Sequence, residues 1–298
     1  MTKLPPYLHA GDKILLIATA RSVSEADMLP ALHQLRSWGF EIETGPHLYS
    51  KYNQFAGTDD ERCSDLQWAL DHPQAKAIII ARGGYGTMRI IDRISFKGYK
   101  KYPKWVAGYS DITALHNSLY NQGFCSIHGT MPVNFTRNEI ATLSLKNVLC
   151  GEKVLYQINT HPLNRSGKAE AEIVGGNLSL LYALNGSSSA IDLSGKILFI
   201  EDLDEYLYHI DRMMLSLRRA GKLKKLAALV VGGMSDMRDN DIPFGETALE
   251  IIRRNVEEFD FPVCFNFPAG HIDNNRAFYH GRKCVLRVTE SDVEFTYP

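Results

Sequence analysis

Short apolar runs alternate with longer amphipathic stretches through the first half of the chain, and this alternation constrains the fold most. KILLIA (13–18), AIIIA (77–81) and WVAG (105–108) have the length of buried strands. The stretches 24–38 and 58–71 between them have the apolar spacing of helices. Strands separated by helices in this way form a mostly parallel sheet with helices on both faces. We therefore predict an α/β fold of the flavodoxin or Rossmann type for this half.

The second half of the chain has a different pattern. Runs at 154–158 and 169–174 predict strands, and the closing segments CVLRV and DVEFTY predict a hairpin with a Glu-Ser turn. We predict an N-terminal α/β domain at 1–158, a polar linker at 159–167 and a smaller, β-rich α+β domain at 168–298.

Charge and cysteine usage exclude several classes of protein. The formal net charge is -1, from 33 basic and 34 acidic residues, and no basic block recurs, so we expect neither nucleic acid nor a membrane as partner. A membrane helix needs about 20 apolar residues, and the apolar runs here are strand-sized. The N-terminal MTKLPPYLHAGDK lacks the apolar core of a signal peptide. The five cysteines are scattered and form no C-x-x-C pair, which predicts a reducing, cytoplasmic location.

The segment AGYSDIT (107–113) places a serine at the corner between a predicted strand and a predicted helix. A nucleophilic serine needs a base and nearby backbone N–H groups that can hold an oxyanion. Such a corner supplies these N–H groups, and the amide of Asp111 follows Ser110 directly. The second glycine of G-x-S-x-G is absent, so the alternative remains that Ser110 or Asp111 only caps the helix.

The glycine-rich segment RGGYG (82–86) follows the predicted strand at 77–81. Glycines at this place let the backbone approach a ligand closely. The pattern is neither the G-x-G-x-x-G dinucleotide fingerprint nor the Walker motif, so we predict no nucleotide cofactor. The segment forms either part of an oxyanion pocket or a plain tight turn.

A base for Ser110 must come from the ten histidines. His271, in FPAGHIDNN, is the best candidate because it follows a predicted strand and a Pro-Ala-Gly corner, so that its ring can be presented from a loop. His128 could line the cleft, whereas His116 is expected to pack or to form a hydrogen bond.

A carboxylate must orient that imidazole. Glu201, at the end of the buried strand KILFIED, is the best candidate, and Asp202 and Glu205 compete with it. The alternative is that any of these acids only pairs with Arg212 of the following helix. Neither H-E-x-x-H nor S-x-x-K occurs, so we predict no metal and a hydrolase of the Ser–His–Glu type.

Several motifs together resemble one family. They are FAGTDDERCSDLQWAL (55–70), IIIARGGYGTMRII (78–91), GYSDITALH (108–116), GGNLSLL (175–181), FIEDLDEYLYHIDRMMLSL (199–217) and AGH (269–271). In this order they are similar to the LD-carboxypeptidase family of serine peptidases, which includes muramoyltetrapeptide carboxypeptidases and microcin immunity peptidases. The resemblance extends from the first predicted strand to His271.

The resemblance implies a role for particular residues. It places the nucleophile at Ser110, the glutamate at Glu201 and the histidine at His271. The oxyanion would be held by the backbone N–H groups of Gly84 and Asp111. We expect the glycine-rich motifs to contact the substrate through Gly83, Tyr85, Gly176 and Asn177.

The resemblance also implies an activity. Family members are metal-independent and commonly dimeric, so we expect a homodimer without a cofactor that releases a C-terminal D-amino acid from a murein tetrapeptide. One alternative is an immunity-type peptidase that cleaves an acyl-adenylate-like toxin, and another is a non-catalytic nucleotide or sugar-phosphate binding protein.

The chain departs from the family pattern at 18–20 (Ala-Thr-Ala for Ala-Pro-Ser) and at 279–281 (Tyr-His-Gly for Pro-x-Gly). Neither departure touches the three catalytic candidates.

Overall fold

The computed structural model describes residues 2–298, and the chain forms two compact units. The first unit runs to Lys153 and also includes Arg276–His280, whereas the second comprises Val154–Asn275 and Gly281–Pro298. Each unit is built on one sheet, of six strands in the first and seven in the second. The predicted architecture of an α/β unit followed by a β-rich unit is confirmed. The assignment of 159–167 as a linker stays a prediction.

The first unit alternates strands and helices. In chain order its elements are β1 (Lys13–Ile17), α1 (Glu25–Ser37), β2 (Glu41–Thr44), α2 (Asp59–Asp71), β3 (Ala77–Ile80), α3 (Thr87–Ile90), α4 (Lys97–Lys101), β4 (Trp105–Gly108), α5 (Thr113–Asn121), β5 (Ser126–His128) and α6 (Glu139–Leu149). A short 3-10 helix, Ser110–Ile112, precedes α5.

The strand order in this unit is β2-β1-β3-β4-β5, with all neighbours parallel. This is the flavodoxin-like order, in which the direction of winding reverses between β1 and β3. A late segment, Phe278–His280, adds an antiparallel strand beside β5. That strand escapes sequence analysis because three residues carry too little periodicity, and because its partner lies 150 residues away in the chain.

Strands β1 and β3 contribute side chains from both of their faces to the core of the first unit. Leu15 and Ile17 of β1 and Ile78 and Ile80 of β3 lie in one buried cluster with apolar residues of α2 and α5. The intervening residues of these strands are also fully buried. A parallel sheet covered on both faces requires such continuous apolar strands, which is why the runs KILLIA and AIIIA predict these strands correctly.

The second unit has a mixed sheet. Its elements in chain order are β6 (Leu155–Asn159), β7 (Gly167–Asn177), α7 (Leu178–Leu184), β8 (Ile197–Leu203), α8 (Leu207–Arg219), β9 (Ala228–Ser235), α9 (Ala248–Asn255) and β10 (Val263–Cys264), and after the Phe278–His280 strand, here β11, come β12 (Lys283–Val288) and β13 (Asp292–Thr296).

The strand order in the second unit is β10-β9-β8-β7-β12-β13-β6. Strands β7 to β10 are parallel, whereas β12, β13 and β6 continue the sheet from β7 as antiparallel strands. The predicted hairpin of β12 and β13 is confirmed. The apolar run PVCFNF (262–267) predicts a strand, but the structure has only two strand residues there, because Asn266 takes a left-handed φ of 57° that ends an extended strand.

None of the helices within residues 2–298 has the length and apolar character that a bilayer crossing requires.

Candidate active site

Ser110 occupies a strained corner of the first unit. It follows β4 with a φ of 65°, in the left-handed region, and it begins the 3-10 helix that leads into α5. This conformation costs a residue other than glycine about 1–2 kcal/mol. The N-cap positions are Tyr109 and Ile112, and neither makes a side-chain cap bond. Neither Ser110 nor Asp111 is therefore the N-cap residue of the helix that follows, and the role of Ser110 as a nucleophile stays a prediction.

Two glycines make room for this corner. A Cβ added to Gly108 would lie 3.0 Å from Cγ1 of Ile112, which packs beneath the turn. A Cβ added to Gly83 would lie 3.1 Å from Ser110 Cβ and 3.3 Å from Ser110 Oγ. The backbone of the RGGYG loop thus lies directly against the serine, as an oxyanion pocket requires. Gly84 has a φ of 115°, which only glycine adopts readily.

The Asp111 side chain ties that loop to the corner. Asp111 is fully buried, and its Oδ2 accepts a hydrogen bond from the backbone N–H of Thr87, 2.8 Å away. The Thr87 hydroxyl in turn contacts the hydroxyl of Thr19, also at 2.8 Å. Burial raises the pKa of the Asp111 carboxyl against the opposing effect of the Thr87 hydrogen bonds. The residues that follow β1, β3 and β4 are therefore linked by buried polar contacts. Sequence analysis missed this role of the Asp111 side chain.

Glu201 and His271 form a buried pair in the second unit. His271 Nδ1 lies 2.6 Å from Glu201 Oε2, and the backbone N–H of His271 donates to the same oxygen at 3.1 Å. Glu201 is 0 % exposed. Because a carboxylate oxygen only accepts, Nδ1 carries the proton and Nε2 is the basic nitrogen. The contact between these two side chains fits the pair that the sequence predicts, and their catalytic role stays a prediction.

The charges around His271 favour its protonated form. Burial lowers the pKa of His271, but attraction and hydrogen bonding to Glu201, with a contribution from Asp202, outweigh burial and raise it above its ordinary value. Burial, together with repulsion from Glu201, raises the pKa of Asp202 to about 7. The imidazolium that forms when a base accepts a proton is stabilised in such surroundings.

A β-bulge explains how His271 reaches Glu201. Ile200 pairs with Val231 and Asp202 with Met234, so two residues of β9, Gly232 and Gly233, stand opposite the single residue Glu201. Bulges of this kind often re-aim side chains next to active sites. A Cβ added to Gly232 would lie 2.4 Å from the carbonyl oxygen of Ala269, so these glycines admit the loop that carries His271.

Gly270 completes the approach of that loop. It has a φ of 104°, and an added Cβ would lie 2.7 Å from Cβ of Glu201. Its N–H donates to the side-chain oxygen of the buried Asn275, 2.8 Å away, and Ser235 Oγ donates to the His271 carbonyl at 2.6 Å. The glycine pair at 232–233 is the sequence signal that indicates this close approach of the loop.

The competing acids have other partners. Asp202 Oδ1 accepts from Asn177 Nδ2 at 2.8 Å, and Glu205 pairs with His209 at 2.5 Å. The guanidinium of Arg212 stacks on Tyr208, 5.1 Å from the ring centroid. Within the described residues none of the three acids forms an ion pair with Arg212, so the alternative of such a pair is wrong.

The other candidate histidines are buried in the first unit. His116 Nε2 donates to the Gly108 carbonyl at 3.0 Å, which confirms the expected hydrogen-bonding role. His128 stacks on Phe278 with ring centroids 4.8 Å apart.

The predicted substrate-binding residues divide between the units. Gly83 and Tyr85 lie on the loop beside Ser110, and Tyr85 is 47 % exposed with its ring 6.3 Å from that of Phe55. Gly176 and Asn177 end β7, where the Asn177 side chain also accepts from the N–H of Leu180 and caps α7. Their contact with a substrate stays a prediction.

Residues 2–298 contain no group of three or more His, Cys, Asp or Glu side chains arranged to hold a metal ion. Within the same residues no two of the five cysteines form a disulfide bond.

Comparison with known proteins identifies the family. Residues 14–129 match the LD-carboxypeptidase N-terminal domain, and residues 170–286 match the LD-carboxypeptidase C-terminal domain. The probable murein peptide carboxypeptidase of Bacillus subtilis (strain 168) is 34% identical, over 96% of this chain and 92% of its own. The fold and these matches define a peptidase that hydrolyses its substrate. The chain belongs to the LD-carboxypeptidase family.

Solved structures agree with this assignment. The muramoyltetrapeptide carboxypeptidase from Oxalobacter formigenes superposes with a TM-score of 0.88 at 28% identity, covering 96% of this chain and 99% of that one. An MccF-like protein from Bacillus anthracis str. Ames has a TM-score of 0.85 at 23% identity, covering 99% and 100% of the two chains. At that identity the second likeness shows the fold alone.

Proposed function

We propose that the protein is a metal-independent serine carboxypeptidase that hydrolyses the L,D-peptide bond of a murein tetrapeptide and releases the C-terminal D-alanine. The observation that carries the proposal is the 2.6 Å bond from His271 Nδ1 to Glu201 Oε2, which leaves Nε2 as a base. The strained elbow at Ser110 supplies a nucleophile of the matching type. The murein peptides named for the similar proteins of Bacillus subtilis and Oxalobacter formigenes support the substrate class.

In this mechanism Ser110 Oγ attacks the scissile carbonyl carbon while His271 Nε2 takes the hydroxyl proton. Glu201 holds the imidazole in the required tautomer and stabilises the imidazolium. The negative charge that develops on the carbonyl oxygen is met by the N–H groups of Gly84 and Asp111. Loss of one such donor typically lowers the rate about 100–1,000-fold.

Collapse of the tetrahedral intermediate completes the first half of the reaction. The carbon–nitrogen bond breaks, and His271 gives its proton to the departing amine of the D-amino acid. A water molecule then attacks the acyl-Ser110 ester, with His271 again accepting a proton. Breakage of the ester bond returns the proton to Ser110 and releases the shortened peptide.

A panel of peptides with an L,L, an L,D or a D,D bond before the last residue tests the proposal. We expect release of the terminal residue from the L,D peptide and at least about 100-fold slower release from the others, because stereochemistry decides where the scissile carbonyl lies. A fluorophosphonate should label Ser110, as identified by peptide mapping. Absence of both hydrolysis and labelling would refute the proposal.

The alternative substrate, an acyl-adenylate-like toxin, is tested by adding an aminoacyl sulfamoyl adenosine to the same panel. Membership in the peptidase family favours either substrate over non-catalytic nucleotide binding. Preferential cleavage of the adenylate analogue would move the protein to the immunity-type function.

We further infer a cytoplasmic location and a homodimer. Five cysteines that form no disulfide bond within the described residues fit a reducing compartment. Light scattering of the purified protein would measure the assembly directly, and a mass near 33.5 kDa would contradict a dimer.

A further inference from the structure

Arg21 stands where an open α/β sheet of this topology binds its ligands. It follows β1, and the RGGYG loop follows β3, the neighbouring parallel strand. The winding of the sheet reverses between these two strands. The carboxyl ends of strands at such a reversal form the usual ligand crevice.

The backbone of Arg21 is held on two sides. Its N–H donates to the Gly83 carbonyl at 3.3 Å, and it forms an antiparallel bridge with Phe55. The adjoining residues are fixed as well, since Ala56 N–H donates to Ala20 O at 2.9 Å. The start of the Arg21 side chain is therefore placed by the fold, although the side chain itself is exposed.

The Arg21 side chain crosses the loop next to the serine. A Cβ added to Gly84 would lie 2.6 Å from Arg21 Cγ, 2.7 Å from Cδ and 3.1 Å from Nε. A Cβ added to Gly83, the preceding residue, would lie 3.1 Å from Ser110 Cβ. Cγ, Cδ and Nε of Arg21 thus lie beside Gly84, whose backbone N–H is one proposed oxyanion donor.

The other arginines near this loop already have partners. Arg89 donates to both carboxylate oxygens of Asp59, at 2.9 Å from Nε and 2.7 Å from Nη2, and Arg62 pairs with the same carboxylate. Arg82 donates to the Ser22 carbonyl at 3.3 Å. Within residues 2–298 no carboxylate forms an ion pair with Arg21. This leaves positive charge for an anionic ligand.

A carboxypeptidase must recognise such an anion beside the scissile bond. The free carboxylate of the last residue is separated from the scissile nitrogen by one carbon atom, so its receptor has to lie close to the nucleophile. An arginine fork matches the geometry of a carboxylate and binds it through two parallel hydrogen bonds. We propose that Arg21 binds the C-terminal carboxylate of the peptide and so makes the enzyme an exopeptidase. This inference rests on the proposed function.

The test compares the free-acid L,D tetrapeptide with its C-terminal amide. The wild-type enzyme should prefer the acid, and Arg21→Gln should lower kcat/KM for the acid about 100-fold, mainly through KM, because a charged hydrogen-bonding partner is lost. Its rate on the amide should change less than about 3-fold. Arg21→Lys keeps the charge but not the planar fork. Its kcat/KM for the acid should fall about 10-fold, which lies between the values of the wild type and of Arg21→Gln.

Arg36→Gln serves as the matched control, since it removes the same charge from an exposed position on α1. It should leave both rates unchanged, and thermal unfolding should show that all variants are folded.

Inorganic phosphate, added as a competitor, distinguishes a general anion site from a carboxylate receptor. Weakened phosphate inhibition in Arg21→Gln with an unchanged acid-to-amide ratio would overturn the inference.

An unchanged acid-to-amide ratio in Arg21→Gln, with normal hydrolysis of the acid by the wild type, also overturns the inference and leaves the proposed function intact. Failure of the wild type to hydrolyse either peptide overturns the proposed function and the inference with it.

Discussion

Ser110 and His271 are placed by different physical means. Ser110 is positioned by its backbone, through a left-handed φ of 65° at the end of a buried parallel strand. His271 lies on a loop and is positioned mainly by hydrogen bonds, since both its ring and its N–H contact one oxygen of Glu201. A strained corner fixes where a hydroxyl points, whereas a buried carboxylate fixes both the orientation and the proton affinity of a ring. We therefore expect substitutions at Ser110 and substitutions at Glu201 to differ in their effects on stability, on kcat and on pH dependence.

Ser110→Ala should have the largest effect on activity. Loss of the nucleophile removes the covalent step, and removal of such a serine lowers kcat by up to about 10⁶-fold. Release of D-alanine from the L,D tetrapeptide, followed by chromatography, measures the loss. Activity within 10-fold of the wild type would contradict the assignment of the nucleophile.

Ser110→Gly is the matched control for backbone strain. It is equally inactive, but it should have a free energy of unfolding about 1 kcal/mol higher than Ser110→Ala, because glycine adopts the left-handed conformation without a clash. Denaturant unfolding of the two variants compares them directly, and equal stability would mean that the corner stores no strain.

Glu201→Gln should lower kcat by about 10³–10⁴-fold, because the amide no longer fixes the tautomer that leaves Nε2 basic. The pH dependence of kcat/KM should also change. His271 acts as a base only when neutral, so activity is lost as the pH falls through its raised pKa. Without the Glu201 charge that pKa falls, and the acidic limb should move to lower pH.

Asp202→Asn is the control for the loss of one buried charge. Asp202 neighbours Glu201 on β8 but bonds Asn177, Ser179 and Leu203 rather than His271. We expect a loss of about 10-fold or less and a smaller movement of the acidic limb in the same direction. Equal effects of the two substitutions would show that net charge, and not the hydrogen bond to His271, governs the base.

Gly270→Ala should lower both stability and activity to an intermediate degree. The new Cβ would lie 2.7 Å from Glu201 Cβ, so the loop that carries His271 must shift, which we expect to cost about 10–100-fold in kcat. Gly221→Ala has a comparable φ of 70° with nothing within 4 Å of its new Cβ, and it isolates the backbone strain. The two variants should differ clearly in kcat/KM; similar values would contradict the close approach of the loop.

Treatment with EDTA should have the smallest effect, less than about 2-fold on kcat/KM, because each proton transfer is assigned to His271 and the oxyanion to backbone N–H groups. Dialysis against the chelator before the assay measures this. A large loss that Zn²⁺ restores would replace the proposed mechanism by a metal-dependent one.

The sequence predicts the elements best where local pattern and burial agree. WVAG is a strand with the predicted bounds, and Ser24 and Thr58 cap helices that begin where the spacing indicates. The segment PFGETALEIIRRNVEEF (243–259) predicts a longer helix than the observed Ala248–Asn255, because the capping box of Thr247 and Glu250 sets the start of the helix. Strand β11 was missed because its existence depends on pairing with β5, which no local pattern encodes.

For the candidate site, too, local pattern predicts which residues matter, but it does not predict how they come into contact. Glu201 and His271 are 70 residues apart. The sequence indicates Glu201 because it lies at the end of a predicted strand, and His271 because it lies on a predicted loop. Their bond depends on a bulge in β9 and on the left-handed Gly270, which are consequences of sheet packing.

By itself the amino-acid sequence determined the α/β class, the buried strands and the candidate nucleophile corner, because apolar periodicity and turn chemistry act over a few residues. The tertiary structure alone decided that Asp111 ties the glycine loop to the corner, that Arg212 is not the partner of Glu201, and that Arg21 lies across Gly84. Each of these depends on the distance between side chains brought together from separate elements, and such distances are set only when the sheets are formed and packed.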